Sequence, residues 1–511
     1  MRFRFELVPS LPRLAWCARL SRGDAEILVI HGPWVETRAT CFFEGVWDAP
    51  FAELNFDKAH ILAGSGGKIR GEEVVFCGPT DKFAGLHSIR VADTLLVSNS
   101  LVFLLTQAGD SPDPGYPWYL FDNNRSKRWG LRRPHCAIPT RLGHTVDIQL
   151  MGNLAVSASL DIRREEQGKP VPPADFAGHR DMLVGALERL FENGADGGRA
   201  HPFRPVTSVS RGYDSPAVSA LAARAGCREA ICFSNTYDPQ NDDDGTGIAH
   251  RLGLQVHPAR RDDFLKLPGF PEAEFCATVT MGTGAPFAVL EPALEGALLL
   301  SGFTGDTVWS VDPRNNLPDG LAPGYQGMTM DSYNEFRLRT GCAVFALPQI
   351  GRWHMEEIFR ITHSDEMKPW WVAGKYNRPI PRRILEEAGV PRGTFAQAKV
   401  GGGHSVIGRE DGMKPESRAD FLEFYRAQPI PGWFRQGRVF GWRDVPAILL
   451  ERLYTFSHRY PGREAWLYKF LLPLTLNSDR RYRDTRTRSP YLYLFHWGFE
   501  RIRERYRIPG D

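Results

Sequence analysis

The stretch that decides the fold is residues 206–216, V-T-S-V-S-R-G-Y-D-S-P, followed by residues 217–226, A-V-S-A-L-A-A-R-A-G. The opening run is β-branched and predicts a short strand. The alanine-rich residues carry apolar side chains at helical spacing and predict a helix. Pro216 suits the first turn of that helix, where its missing N–H costs no hydrogen bond, and Gly226 suits the position just after its end. The stretch therefore predicts a strand, a tight loop and a helix.

The loop between this strand and this helix carries groups that suit an anion. The first N–H groups of a helix have no partner within the helix and attract negative charge. The hydroxyls of Ser210 and Ser215 add two more donors. No G-x-x-x-x-G-K-[ST] string occurs in the chain, so the loop is not of the Walker type. The alternative is an ordinary strand-to-helix turn with a capping serine.

The composition is that of a soluble globular protein of two or three domains: 511 residues, 42% hydrophobic and 24% charged. A formal net charge of +3 is too small to indicate a nucleic-acid partner by itself. The eight cysteines include no C-x-x-C pair, which favours reduced thiols over a zinc site. No apolar run reaches the roughly 18 residues of a membrane helix, and the opening M-R-F-R-F-E lacks the apolar core of a signal peptide. We therefore expect a cytoplasmic protein without a membrane partner.

The residues around the loop alternate between helix and strand patterns. Residues 180–190 predict a helix ahead of the loop, 229–235 a buried strand, 242–253 a helix with an acidic start, and 254–257 a third strand. Alternating strands and helices indicate a parallel sheet that binds its ligand at the carboxyl ends of the strands. The expected fold class is therefore α/β, with a doubly wound parallel sheet.

A second motif, residues 297–306, reads A-L-L-L-S-G-F-T-G-D, an apolar strand that runs into a turn with glycine and aspartate. Mg²⁺ prefers carboxylate, phosphate and water oxygens, so two carboxylates at one sheet edge beside an anion loop suit a magnesium ion that binds phosphate. Asp214 and Asp306, each at the end of a predicted parallel strand, are therefore the predicted magnesium ligands. The alternative is a β-turn with an incidental aspartate.

The two motifs resemble those of a known family. S-R-G-Y-D-S, residues 210–215, resembles the S-G-G-x-D-S signature of the ATP pyrophosphatases, which include asparagine synthetase and β-lactam synthetase, with Arg211 in place of the first glycine. S-G-F-T-G-D, residues 301–306, resembles the S-G-x-G-x-D segment of asparagine synthetases, with the second glycine one position later. The resemblance covers residues 200–405 and, more weakly, residues 1–160.

The first 160 residues are rich in short β-prone runs, separated by Gly, Pro and Asp. Residues 81–105 resemble a passage of the glutaminase-type domain of asparagine synthetase. That domain uses an N-terminal cysteine as nucleophile, whereas Arg2 follows Met1 here and the first cysteine is Cys17. The resemblance therefore implies a glutaminase-like domain that lacks its nucleophile, as in β-lactam synthetase. The β-prone runs are residues 25–30, 72–77, 88–92 and 94–98.

We expect three parts in the chain. They are a β-rich, degenerate glutaminase-like domain of Ntn type at 1–165, an ATP-pyrophosphatase-type domain at 175–460, and a helical, Arg- and Tyr-rich extension at 461–511. The polar, proline-rich residues 160–180 predict a linker. Residues 63–68, A-G-S-G-G-K, predict a glycine-rich hairpin turn, since the isoleucine that follows stands where a phosphate loop requires Ser or Thr. Interleaved acids in the C-terminal extension favour a solvated helix face over an RNA-binding one.

The resemblance implies a role for each residue of the expected site. The loop would hold the pyrophosphate of ATP, the end of the next strand and the second motif would line the adenosine pocket, and a lysine in a K-x-G context would neutralise charge on the adenylate. The lysine is Lys399, with Lys375 as a second candidate and a solvated surface lysine as the alternative. The expected ATP-binding residues are Ser210, Arg211, Gly212, Tyr213, Asp214, Ser215, Phe233, Ser301 and Gly302.

The expected activity is ATP-dependent, AMP- and pyrophosphate-forming amide ligation without glutamine hydrolysis. The partners would be a small-molecule or peptide carboxylate and an amine donor. Asparagine synthetase places a glutamate where Phe303 stands and further acidic determinants near Val344, so we expect a less polar or larger acyl substrate. The alternatives are an asparagine synthetase fed by ammonia, a tRNA-modifying pyrophosphatase, and a catalytically inactive nucleotide-binding scaffold. Arg211 keeps the last one open, because its side chain can either clasp or block phosphate.

One histidine also lies near carboxylates in the sequence. His363 is followed by Asp365 and Glu366, a pattern that is found both in acid–base pairs and in metal sites. A histidine of this kind is more often a hydrogen-bonded surface or core residue, and this is the interpretation that we favour here.

Overall fold

The computed structural model describes most of the chain and combines two β-rich layers with a parallel α/β unit. The described residues are 1–81, 84–120, 122–123, 135–166, 168–235, 243–280, 282–313, 316, 331–374, 376–397, 412–430, 449 and 490–508.

The first part of the chain forms two sheets. One has seven strands in the order β1-β3-β2-β9-β8-β11-β10, of which β1 and β3 pair in parallel and the rest are antiparallel; the other has six strands in the order β13-β12-β7-β6-β5-β4. The four β-prone runs predicted from the sequence correspond to β3, β7, β8 and β9. The strands are β1 (Arg2–Leu7), β2 (Trp16–Ser21), β3 (Glu26–His31), β4 (Glu36–Arg38), β5 (Cys41–Trp47), β6 (Leu62–Arg70), β7 (Glu73–Cys77), β8 (Leu86–Val91), β9 (Thr94–Ser98), β10 (His135–Pro139), β11 (Thr145–Gln149), β12 (Asn153–Val156) and β13 (Ile162–Glu165).

The two sheets pack face to face through apolar side chains. Trp16 of β2 is fully buried and lies against Phe42 of β5, with ring centroids 5.0 Å apart, and against Phe76 of β7, at 6.0 Å. Buried residues of β3, β9 and β12 extend the same cluster. Burial of large aromatic and β-branched side chains from both sheets is the main favourable contribution to this packing.

The glycine-rich stretch at 63–68 is a strand, so the predicted hairpin turn is wrong. It lies within β6, between β5 and β7. A Cβ atom on Gly64 would lie 2.0 Å from the carbonyl oxygen of Glu44, and one on Gly67 would lie 2.5 Å from the ring of Phe42. The glycines are present because neighbouring groups approach this strand closely, which is a recognised role of glycine inside a sheet.

The predicted linker begins too early. Residues 162–165 form β13 at the edge of the six-stranded sheet, and the following helix begins at Phe176, capped by the side chain of Asp175, which accepts a hydrogen bond from the N–H of Gly178 at 2.7 Å. The charged residues of 161–166, D-I-R-R-E-E, suggested a loop, but charged side chains also suit a solvent-exposed edge strand.

The parallel sheet predicted from the sequence is confirmed. Its five strands lie in the order β16-β15-β14-β17-β18, and every neighbouring pair is parallel. The chain runs outward from β14 to β16 and then returns to the other side of β14, so that β14 and β17 flank the point where the strand order reverses. In such sheets ligands bind at the carboxyl ends of the strands beside this point. The strands are β14 (Arg204–Val209), β15 (Glu229–Phe233), β16 (Gln255–Ala259), β17 (Ala297–Ser301) and β18 (Ala343–Ala346).

The helices cover the sheets and connect the parallel strands. The predicted helices around residues 180–190, 217–226 and 242–253 are present, although the third is shorter than predicted. The α-helices with defined bounds are α1 (Leu101–Gln107), α2 (Phe176–Gly194), α3 (Asp214–Arg224), α4 (Thr246–Arg251), α5 (Pro271–Cys276), α6 (Glu291–Leu294), α7 (Gly305–Val308), α8 (Asn334–Thr340), α9 (Met355–Thr362), α10 (Pro379–Glu387), α11 (Pro415–Ala427) and α12 (Leu494–Ile502).

Helix α8 joins the parallel unit to the β-rich layers. Arg337 donates hydrogen bonds from Nη1 and Nη2 to the two carboxylate oxygens of Glu44 in β5, at 2.9 and 3.0 Å. Glu335 accepts a hydrogen bond from the hydroxyl of Ser100 at 2.9 Å. All four side chains are buried. Because water does not reach this contact, a charged group left there without its partner would be costly to the fold.

The solvated face predicted for the C-terminal segment is present among residues 494–508: Arg501, Glu504, Arg505 and Arg507 are exposed, whereas the aromatic side chains of α12 are buried. Most side chains of α12 are buried, and a Cβ atom on Gly498 would lie 2.6 Å from the carbonyl oxygen of Ala273 in α5. Arg501 and Arg505 pair with carboxylates of other segments, those of Asp420 and Glu274. The interleaved charges cover one side of a helix whose aromatic side chains pack into the core.

Candidate functional site

Two turns at the carboxyl edge of the parallel sheet lie in contact, one after β14 and one after β17, which are paired neighbours. A Cβ atom on Gly302 would lie 2.4 Å from the backbone carbon of Asp214 and from the backbone nitrogen of Ser215. A Cβ atom on Gly305 would lie 2.8 Å from Cβ and Cγ of Asp214. Glycine at both positions therefore lets the two motifs meet at Asp214.

The two predicted magnesium ligands lie at this contact. Asp214 is the first residue of α3, and Asp306 is the second residue of α7. Each helix begins directly after a turn at the edge of the sheet, so each carboxylate lies beside the first N–H groups of a helix, where negative charge is favoured. The structure thus brings together the two motifs that the sequence placed 92 residues apart, counted from Asp214 to Asp306.

A buried arginine interacts with both of these carboxylates. Arg378, just before α10, is 7% exposed, and its Nη1 donates a hydrogen bond to Oδ2 of Asp214. Burial is the largest influence on the Arg378 pKa and lowers it, but the charges of Asp214 and Asp306 and the hydrogen bond outweigh burial and raise the pKa above its ordinary value. The two carboxylates together therefore favour a cation beside Asp214.

Sequence reasoning did not find Arg378. The signal available for it is the basic string R-P-I-P-R-R at 378–383, which comes shortly before the predicted lysine. Such a string is also typical of the exposed start of a helix. Only the ion pair with Asp214, 164 positions away in the chain, shows that Arg378 belongs to the site.

The loop after β14 is organised by its own serines. The hydroxyls of Ser210 and Ser215 lie 2.8 Å apart, and Oγ of Ser215 also accepts the N–H of Ser210 at 3.1 Å. Oγ of Ser210 accepts the N–H of Gly212 at 3.2 Å. These bonds fix the loop in a compact form in which its donors converge, as in a backbone nest for an anion.

A carboxylate of the protein itself accepts a hydrogen bond from one of the backbone N–H groups predicted to bind the anion. The N–H of Arg211 donates to Oδ1 of Asp243 at 3.1 Å, and Asp243 is 5% exposed. Asp243 also pairs with Arg261, whose Nη2 lies 3.5 Å from its Oδ2. A phosphate at this N–H would have to take the place of the Asp243 carboxylate. The acidic run at 242–244 was visible in the sequence, but its contact with the loop was not.

Phe233, a predicted adenosine-pocket residue, packs at the end of β15. It is 8% exposed, with the ring of Phe287 at 5.3 Å and the guanidinium carbon of Arg261 4.8 Å above its own ring. Arg261 is in turn held by Asn235, whose backbone oxygen accepts its Nε–H at 3.1 Å. Phe233 and Arg261 thus form a buried cation–π pair at the end of β15.

Tyr213 turns its side chain away from the loop. It is 1% exposed and lies edge-on to Tyr376 at 4.8 Å, and its hydroxyl bonds to Arg382. Tyr213 can therefore contribute to the predicted ATP site only through its backbone.

Ser301, Gly302 and Phe303 form the start of the second turn. Oγ of Ser301 accepts the N–H of Phe303 at 3.2 Å, which tightens the turn as a serine side chain often does. Phe303 packs partly against the apolar cluster that contains Phe233 and Val344.

The predicted lysines cannot be compared with this geometry, because Lys399 and Lys375 both lie outside the described residues. His363 is exposed, and its Nδ1 lies 2.8 Å from the backbone oxygen of Phe359. Asp365 and Glu366 pair instead with Lys368 and Arg383. His363 is thus the hydrogen-bonded surface residue that the sequence favoured.

No protein-family model matches the chain, and a search of curated proteins finds no match either. Within the part of the chain that the structure describes, no group of three or more His, Cys, Asp or Glu side chains could hold a metal ion, and no helix is both long and apolar enough to cross a membrane. The functional interpretation therefore depends on the two motifs and on the geometry at the edge of the parallel sheet.

Proposed function

We propose that the protein is an ATP-dependent, AMP- and pyrophosphate-forming amide ligase of the asparagine synthetase type, which activates a carboxylate as an acyl-adenylate for attack by an amine. The observation that carries the proposal is the contact of the two motif turns at Asp214, where Gly302 and Gly305 leave no room for a side chain. Adenylation requires a loop that binds the phosphates of ATP and carboxylates that bind the metal. Both would lie at this one edge of the sheet.

The residues at this edge fit a magnesium ion. The charges of Asp214 and Asp306 already stabilise one cation, the guanidinium of Arg378. Oxygen ligands from two carboxylates, together with phosphate and water, suit Mg²⁺. Asp214 and Asp306 would hold the ion, which would neutralise charge on the pyrophosphate leaving group. Because Arg378 now pairs with Asp214, metal binding would release its guanidinium toward the phosphates, where it would stabilise the same charge.

The loop after β14 would hold the phosphates. The N–H of Arg211, which now donates to Asp243, would donate to a phosphate oxygen, and Ser210 and Ser215 would turn their hydroxyls to the same group. The base would bind near the end of β15, beside the buried Phe233–Arg261 pair. Lys399, the motif lysine, would neutralise charge that develops on the adenylate.

The first part of the chain would not hydrolyse glutamine. Cys17, the first cysteine, lies within β2 and is 2% exposed, and burial raises its pKa far above the usual range. A thiol in this state is not a nucleophile. We therefore propose that the two sheets are a glutaminase-like, Ntn-type arrangement kept for its packing role, and that the amine is supplied directly.

A second candidate is a catalytically inactive nucleotide-binding scaffold. The observation that favours it is that Asp214 is paired with Arg378 and the Arg211 N–H with Asp243. Both bonds would have to break before metal and phosphate bind. An active enzyme exchanges both partners on binding Mg²⁺-ATP, whereas a scaffold would bind the nucleotide without breaking the Asp214–Arg378 pair, and therefore without the metal at Asp214.

The test is cleavage of ATP at the α-phosphate. Purified protein is incubated with Mg²⁺-ATP, a panel of carboxylates and either ammonium or primary amines, and AMP and pyrophosphate are measured. We expect both products, and we expect D214A and D306A to abolish them. D365A is the matched control, since Asp365 is 92% exposed and pairs with the exposed Lys368 three residues along the chain. ATP binding without turnover in every mixture would support the scaffold, and a protein that binds no ATP would refute both candidates.

A further inference from the structure

Strand β1 forms an open edge of the seven-stranded sheet. It pairs in parallel with β3 on one side, and it is the last strand in the order of that sheet among the residues that the structure describes. Arg2, Arg4 and Leu7 are exposed, Leu7 by 55%, so solvent reaches this edge from one end of the strand to the other. An open edge presents N–H and C=O groups to which another strand can add.

The hydrogen bonds of β1 show which of its residues face the open edge. The N–H of Arg2 donates to the carbonyl oxygen of Ala25 at 2.8 Å, and the N–H of Val8 donates to that of His31 at 2.9 Å. Because the N–H and C=O groups of successive residues in a strand point to opposite sides, the even-numbered residues of β1 bond toward β3. The odd-numbered residues therefore direct their backbone groups to the open edge; they are Phe3, Phe5 and Leu7.

The outer face of β1 carries charges of both signs. Arg4 and Glu6 lie on this face, since alternate side chains of a strand point the same way, and their side chains are 53% and 43% exposed. Nε of Arg4 also lies 3.0 Å from Oε1 of Glu26 in β3. The face thus presents a cation and an anion two residues apart, both accessible to a partner.

The opposite face of β1 is apolar and only partly covered. Phe3 and Phe5 pack against the core between the two sheets, and the ring centroid of Phe3 lies 5.2 Å from that of Phe42. Leu7 follows on the same face and is mostly exposed. A strand added at this edge would cover Leu7 and extend the core between the sheets.

A second copy of β1 complements the first in one antiparallel register. With Phe5 opposite Phe5 of the second copy, Arg4 faces Glu6 and Glu6 faces Arg4, so the charged face opposes only unlike charges. A register centred on Arg4 would place two guanidinium groups together, and one centred on Glu6 would place two carboxylates together. Charged side chains usually protect an edge strand from pairing, whereas this order of charges favours pairing with a second copy.

The same register also satisfies the backbone groups at the open edge. Phe5 opposes Phe5 and Phe3 opposes Leu7, and each of these pairs exchanges two N–H···O=C bonds, about six bonds in all. Arg4 and Glu6 then fall in the pairs without hydrogen bonds, where the Cβ atoms come closest, at about 4.5 Å. Backbone direction and charge order therefore agree on one register.

We infer that β1 is a self-association surface, which pairs antiparallel with β1 of a second copy of this chain and joins the two seven-stranded sheets into one. The strand offers six residues to the contact, against about 20–30 residues a side in a standard stable interface. The dimer should therefore be reversible and should dissociate on dilution. Pairing through β1 does not depend on the proposed function.

The test is sedimentation velocity of the purified full chain over about a hundredfold range of concentration, in reducing buffer so that Cys136, which is only partly buried, cannot cross-link two copies. We expect monomer at the lowest concentration and dimer at the highest. R4E and E6R each place like charges opposite one another twice in the dimer, so each should weaken self-association at least about tenfold. Exposed ion pairs contribute little to the fold, so both variants should keep the wild-type Tm.

The double variant R4E/E6R exchanges the two charges and restores unlike neighbours in the same register, so it should recover most of the wild-type self-association. The matched control is E72R, the same reversal at an exposed glutamate between β6 and β7, which should dimerise as the wild type does. A wild type that stays monomeric at every concentration would overturn the inference. So would a dimer that R4E and E6R leave unchanged, or a double variant as weak as the single ones.

Hydrogen exchange measured by mass spectrometry locates the contact. The peptide that contains β1 should exchange more slowly in concentrated than in dilute wild-type protein, because the amides of Phe3, Phe5 and Leu7 gain acceptors. E6R should lose most of this difference. A wild-type dimer whose β1 exchanges equally fast at both concentrations would show that the copies meet at another surface, and this result decides the matter even if R4E or E6R fails to fold.

Discussion

The close approach of the two motif turns makes Gly302→Ala a sensitive test of the site. The new Cβ would lie 2.4 Å from two backbone atoms of the turn that begins α3, and ordinary van der Waals contact starts at 3.4 Å. The turns must therefore separate by about 1 Å, and a displacement of this size at a catalytic site can reduce the rate about 100-fold. Overpacking of a rigid contact costs about 1–3 kcal/mol of stability.

The matched control is Gly247→Ala in α4, where a Cβ would meet nothing within 4 Å. In a helix, alanine is preferred over glycine by about 0.5–1 kcal/mol, so G247A should be at least as stable as the wild type and fully active. The assay combines urea unfolding with pyrophosphate release from Mg²⁺-ATP and an accepted carboxylate. G302A should lower the unfolding free energy moderately and lose most of the activity. A G302A protein with wild-type stability and rate would refute the contact between the turns.

Two further predictions concern the junction of the β-rich layers with the parallel unit. Burial raises the pKa of Glu335 to about 7 against the hydrogen bonds of Tyr506 and Ser100, with Glu274 raising it and Arg505 lowering it further. Its neutral form is therefore favoured in the folded state, and its contribution to stability is present below pH 4.5 and lost as the pH rises through 7. The rise of the Glu335 pKa from 4.5 to about 7 corresponds to about 3 kcal/mol of unfolding free energy. Urea unfolding between pH 4.5 and 8 should therefore show a loss of about this size in the wild type and not in E335Q. An equal loss in both proteins would contradict the raised pKa of Glu335. Arg337→Met should lower the free energy of unfolding by about 3–5 kcal/mol, because it leaves the Glu44 charge buried without its main partner. The control is R2Q, at an arginine whose side chain is 77% exposed, and it should leave the urea midpoint unchanged. Equal midpoints for R337M and the wild type would show that the buried pair contributes nothing to stability.

Local sequence patterns predicted the elements that carry the site. The run at 206–226 folds as predicted, from strand β14 through the serine-bearing loop to α3, with Gly226 in the left-handed region at φ 109° just after the helix end. The strand before Asp306 also lies where predicted. These features depend on neighbours within one or two turns of chain, where hydrophobic period, proline and glycine are informative.

Two interpretations failed because tertiary packing outweighed local pattern. The glycines of β6 suggested a turn, but they are required by the close approach of β5 and its aromatic side chains. The charged strand β13 suggested a linker, but it pairs with β12 as an edge strand. In both cases the deciding neighbour is another strand of the same sheet, which the local pattern does not show.

By itself the sequence determined that a parallel sheet brings two motifs, with Asp214 and Asp306, to one edge. Only the tertiary structure decided what surrounds them: Arg378 paired with Asp214, and Asp243 at the Arg211 N–H. The physical reason is that a strand or helix is specified by the hydrogen bonds and side-chain period of contiguous residues. The partner of a buried charge is specified by which distant surfaces pack together, and that depends on the whole chain at once.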